Sequence, residues 1–190
     1  MKSIFLGGGV AGVVLFIWGA VAHLLLPLGN MGMQELPHST SVTYALDLAL
    51  DGPGLYVFPW MDDTNGMSKE ALAEWESDYK DGPVGMILYR PTGGDPMDTR
   101  LFVTQALTDL AAGFIAAILL YSTRLGFAGR LLFATSLGLL AWIVSALPQW
   151  NWYGFPGDMI LASGVELVVG WFLAGLVLAA VGGSKASADN

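Results

Sequence analysis

The chain has no cysteine. That absence removes disulfides, CxxC redox pairs, thiolate nucleophiles and cysteine-based zinc or iron–sulfur sites. Histidine is almost as scarce, with His23 and His38 alone. His38 lies outside the apolar run that holds His23, which disfavours haem held between two histidines. Bases are few: eight Lys/Arg stand against sixteen Asp/Glu, for a net charge of −8. With no basic patch to neutralise phosphates, nucleic acid is not an expected partner. No nucleophile elbow is present for Ser/His/Asp hydrolysis. Gly7-Gly8-Gly9 lacks the preceding strand and the Lys-Ser/Thr of a phosphate loop, so it reads as helix packing. There is no internal repeat, low-complexity tract or second domain, and an enzymatic role is not favoured.

Apolar residues dominate instead. Hydrophobic types make up 54% of the 190 residues and charged types 13%, and the mean hydropathy is +0.58. Such a composition describes a membrane protein rather than a soluble globule. Residues 1–28 carry the first apolar run. An Ala20-Val21-Ala22 signal-cleavage pattern competes there, but the run continues through Leu24, Leu25, Leu26 and Leu28, where a cleavage region turns polar. Further runs at about 101–121, 131–147 and 158–182 complete four predicted spans, followed by a tail at 183–190. The expected fold is an all-α, four-transmembrane-helix bundle with a small α+β insert at 29–100.

The insert holds twelve Asp/Glu and four Lys/Arg, and therefore the whole net charge. Within it, Ser41–Leu50 has helical character, Leu55–Phe58 and Val84–Tyr89 read as strands, and residues 68–81 read as an amphipathic helix capped by Ser68. Trp75 is expected on the apolar face of that helix. Thr99 and Asp158 are the expected caps of the second and fourth spans. Pro148-Gln149-Trp150-Asn151-Trp152-Tyr153 reads as an interfacial aromatic loop. Lys2, Arg124, Arg130 and Lys185 fall on one side of a four-span chain. By the positive-inside rule that side, with both termini, is cytoplasmic and the insert periplasmic.

Three titratable residues interrupt the apolar runs. Glu166 shares a helical face with Ala162, Gly170 and Ala174, and Asp109 with Gln105, Ala112, Gly113 and Ala116. His23 shares one with Gly19, Phe16, Gly12 and Gly8. At 1.5 Å per residue, Asp109 and Glu166 lie about 12 Å, and His23 roughly 6 Å, below the predicted outer ends of their spans. The expectation is a buried polar cluster of His23, Asp109 and Glu166 in the outer half of the bundle, with Gln105 and Gln149 near its mouth. It supports a proton or cation site, or a hydrogen-bond network that sets helix register. Met31, Met33 and His38, with Met61 and Met67 further on, offer soft ligands suited to Cu(I), although methionines at a membrane exit also pack as plain apolar groups. No cofactor is specified.

Phe16-Ile17-Trp18, Gly54-Leu55-Tyr56-Val57-Phe58-Pro59, the run from Gly82-Pro83 to Arg90-Pro91, and Asp109 give the chain a resemblance over nearly its whole length. It is similar to a family of small bacterial four-pass inner-membrane proteins with an extracytoplasmic insert after the first span. The resemblance implies fold and location and carries no activity. The functional expectation is an accessory, partner-binding or sensing protein in the lipid bilayer, with a membrane-protein partner possible. A proton- or cation-coupled carrier and a periplasmic copper-handling protein are the alternatives.

Overall fold

A computed structural model of the protein describes residues 1–62, 66 and 68–182. It is mostly helical. The chain runs α1 (Lys2–Leu24), a 3-10 turn (Pro27–Asn30), α2 (Ser39–Ala49), β1 (Gly54–Phe58), α3 (Lys69–Asp81), β2 (Gly85–Tyr89), α4 (Thr99–Tyr121), α5 (Phe127–Ser145), α6 (Leu147–Tyr153) and α7 (Gly157–Gly182). Four helical segments, with α5 and α6 taken together, are long and apolar enough to cross a membrane. The 23 residues of α1 and of α4 correspond to roughly 35 Å each. Phe5, Leu6, Ile115, Leu132 and Leu161 are all at least half exposed on the outside of these helices. An outer surface of that kind suits a multi-pass membrane protein.

The chain divides into two compact units, one of Met1–Met33 with everything from Pro96 onward, the other Gln34–Asp95. In the helical unit, α1 packs on α4 and α7, and α7 packs on α5, while α4 makes little contact with α5 or α7. The shared core is built largely from alanine: Ala11, Ala116, Ala117, Ala134 and Ala174 are fully buried with Leu120 and Leu178. Small side chains let helix backbones come close where no hydrophobic driving force separates protein from lipid. The closest approach is at Gly8, Gly12 and Gly113, where a Cβ on Gly12 would stand 2.6 Å from Leu110 Cα and 2.9 Å from Asp109 O. Three side-chain donors then tie every other long helix to the α7 backbone. Trp18 Nε1 donates to Glu166 O at 2.9 Å, Trp142 Nε1 to Ile160 O at 2.8 Å, and the Tyr121 hydroxyl to Leu178 O at 3.1 Å.

Several expected boundaries shift. Asp98, not Thr99, caps α4: its carboxylate accepts from Arg100 N and also pairs with the Arg100 guanidinium at 2.6 Å. Asp158 is not the cap of α7 but sits in its first turn, accepting from Met159 N. The third long segment starts at Phe127, earlier than residue 131, and the aromatic stretch after it is helix rather than loop. Pro148 is tolerated there because it lies in the first turn of α6, where its missing N–H has no intrahelical partner to lose. Gly154, at φ 69°, ends that helix in the left-handed region.

In the second unit, β1 and β2 pair antiparallel with Gly54 opposite Tyr89 and Phe58 opposite Gly85. The Phe58 ring lies over Gly85, where a Cβ would meet its Cζ at 2.9 Å. Ser68 caps α3 by accepting from Ala71 N. Trp75 of α3 donates to Pro59 O and packs against Tyr79, and the Tyr89 hydroxyl donates to Asp47 of α2. Desolvation, followed by that bond to Asp47, pushes the Tyr89 phenol above its ordinary value. None of the described residues in this unit is fully buried, as expected of so small a piece. The 3-10 turn before this unit packs on α1 and α7 and belongs to the helical unit.

Candidate functional site

A cavity of about 590 Å³ opens within the helical unit between the second half of α1, the first half of α4 and the middle of α7. Its place follows from the packing. Gly8 and Gly12 pin α1 against Gly113, whereas a Cβ at Gly19, two turns further along, would have no neighbour within 4 Å. The helices are drawn together at one level and leave space at the other.

Two hydrogen-bonded pairs line this space. His23 of α1 and Glu166 of α7 meet in a hydrogen bond of 3.0 Å between imidazole Nε2 and Glu166 Oε1. Gln105 and Asp109 are one helical turn apart on α4, and the Gln105 amide donates to both carboxylate oxygens at 3.1 Å. Among the described residues no hydrogen bond joins one pair to the other. Glu166 is held twice from α1, since its backbone carbonyl accepts from Trp18 while its side chain meets His23. The backbone of the 3-10 turn covers the imidazole: a Cβ on Gly29 would touch His23 Nδ1.

Of the expected polar cluster, His23, Glu166, Gln105 and Asp109 all border the cavity, as two separate pairs. The His23 side chain is 54% exposed and that of Glu166 30%, and no charged or polar residue among those described is buried. The groups line an open cavity within the helical unit. Gln149 is not at the mouth. It lies exposed on α6 and does not line the cavity.

The methionine candidates do not gather into one unit. Met31 and Met33 close the first stretch of the helical unit, whereas His38 belongs to the second, where it precedes α2 with φ 52°. Met67 lies outside the described residues. Among those residues, no three of His, Asp and Glu are placed to hold a metal together.

Sequence reasoning by faces placed Phe16 beside His23 but missed the rest of the aromatic wall of the cavity, Trp18, Trp171 and Phe102. Trp18 precedes His23 by five residues and Trp171 follows Glu166 by five. A step of five lies about 140° round a helix, outside the narrow stripe that steps of three and four trace. The signal that could have located them is the repeated spacing of a tryptophan five residues from each polar group.

The arrangement joins carboxylates, an imidazole and indole rings in a mostly apolar chamber. Chemically it can accept hydrogen bonds, hold or exchange a proton, and enclose an apolar body. Comparison of the chain with family models, curated proteins and solved structures finds no match.

Proposed function

We propose that the chain is a four-pass bacterial inner-membrane protein that acts through bound small ligands or a membrane-protein partner, as an accessory or sensing component rather than as an enzyme. Both termini are cytoplasmic in this reading and the acidic insert is extracytoplasmic. The order of bases in the sequence supports that orientation: Lys2 precedes the first apolar run, Arg124 lies between the second and third with Arg130 near the start of α5, and Lys185 follows the fourth. The resemblance to four-pass proteins with an insert after the first span belongs to the same proposal.

The observation that carries the reading is the cavity itself: about 590 Å³, bordered by His23, Asp109 and Glu166 from three different helices. That volume lies within the range of small-molecule sites. No nucleophile, base and oxyanion donors come together around it as acyl or phosphoryl transfer would need. Three titratable groups on three helices also favour, as a second reading, a proton- or cation-coupled carrier.

Gly19→Leu tests the proposal. Gly19 lines the chamber and a Cβ there has no neighbour within 4 Å, so the fold should persist while the chamber fills. Native mass spectrometry of protein extracted in mild detergent should show a small molecule or partner on the wild type that is lost from Gly19→Leu. Equal retention by both proteins would place the activity elsewhere in the chain.

A further inference from the structure

We infer that the cavity takes a lipophilic organic cation, a positively charged nitrogen or phosphorus centre carried on an apolar body. This deepens the proposed function and rests on the reading that the cavity holds a small ligand.

Charge is the first ground. His23, Asp109 and Glu166 are the titratable side chains on the wall, and no lysine or arginine is among the residues that line it. With both acids ionised the wall carries about −2 when the imidazole is neutral and about −1 when it is protonated. An anion would find His23 as its sole prospective cation, and His23 is already engaged with Glu166 Oε1. A cation finds open acceptors. Glu166 Oε2 accepts from no donor among the described residues, and each Asp109 oxygen holds only the shared Gln105 amide, so lone pairs remain on both acids.

The rest of the wall is the second ground. Two indoles and two phenyl rings border the chamber, and aromatic faces attract cations most strongly where water is excluded. The Trp18 indole is fixed by its bond to Glu166 O, which keeps a ring beside one carboxylate. Apart from Gln105, the remaining lining is aliphatic or small, so a hydrated inorganic ion would leave most of it without a partner, while an apolar body would cover it. Because α4 and α7 pack little against each other, the chamber is not closed between them.

The test uses the full chain in detergent micelles, with empty micelles subtracted, and two probes of like shape and opposite charge, tetraphenylphosphonium and tetraphenylborate. Titration calorimetry should give saturable binding of tetraphenylphosphonium, at least tenfold tighter than tetraphenylborate. Asp109→Asn with Glu166→Gln can keep the hydrogen bonds to Gln105 and His23 while removing the charge. This double variant should weaken the cation at least tenfold and leave the anion unchanged or tighter. Gly19→Leu, which leaves both carboxylates in the sequence, should lose both probes. If the two probes bind equally, or the double variant holds tetraphenylphosphonium as well as wild type, the cation inference is overturned. The ligand-binding reading then stands if Gly19→Leu still abolishes binding. If neither probe saturates on the wild type, both readings are overturned.

Discussion

Replacing Gly113 by alanine should drive α1 and α4 apart. A Cβ at Gly113 would stand 2.6 Å from Gly12 N and 3.0 Å from Gly12 Cα, and would press on Gly8 O. These are backbone atoms and cannot rotate away. Restoring ordinary contact at about 3.4 Å needs a local retreat of about 0.8 Å, enough to open the alanine seam between the helices. Overpacking of this kind costs about 1–3 kcal/mol, roughly a 5- to 150-fold loss in the folded-to-unfolded ratio. Gly19→Ala supplies the control. Both variants gain the same helix propensity, up to about 1 kcal/mol, but at Gly19 the methyl meets nothing within 4 Å. Reversible unfolding by SDS in mixed micelles, followed by tryptophan fluorescence, reads the difference between the two. Gly19→Ala should be neutral or stabilising and Gly113→Ala clearly destabilising. Equal midpoints for the two would refute the argument that backbone contact sets the α1–α4 approach.

Trp18→Phe keeps a ring at the cavity wall but removes the N–H that Glu166 O accepts. The same unfolding assay should show a loss of about 0.5–1.5 kcal/mol, with no loss counting against that bond as a tie between α1 and α7. At the start of α4 the Arg100 guanidinium and its backbone N–H hold the Asp98 carboxyl below the usual carboxylate range. A lowered folded value means the contribution is present above the unfolded value and fades as pH falls through the folded one. Protection of the first-turn amides of α4, taken relative to their intrinsic exchange rates at each pH, should therefore fall in acid for wild type, and Asp98→Asn should abolish that step. The chain has no cysteine of its own, so single cysteines report topology cleanly. An impermeant thiol reagent applied outside the cell should label positions in 68–81 and spare 124–130, and the reverse pattern would invert the proposed orientation.

Sequence patterns reached local features well where one element decides them. Ser68 has a cap's chemistry and a helix of the right length behind it, so its bond to Ala71 N follows from neighbours in the chain. Gln105 and Asp109 are one turn apart, which alone places an amide beside a carboxylate. Asp98 was missed because Asp and Thr are adjacent candidate caps and the choice turned on Arg100, whose guanidinium and N–H both reach the same carboxylate. Gln149 was misplaced because its stretch reads as an interfacial loop, whereas it forms the short helix α6, on which Gln149 is exposed and off the cavity wall.

Long apolar runs, the scarcity of bases and the absence of cysteine were decided by composition, because burying that much apolar surface along helices of this length suits a bilayer. The faces of His23, Asp109 and Glu166 also belong to the sequence, since helical periodicity is a local property. Which faces meet is not local. Pairing of His23 with Glu166, 143 residues away in the chain, depends on α1 lying between α4 and α7. That order is set by how closely the glycine and alanine stripes can approach one another. The cavity is more remote still from the sequence. It exists because the backbones meet at Gly8, Gly12 and Gly113 and not at Gly19, and the space left beside a contact belongs to the arrangement of helices and to no single residue.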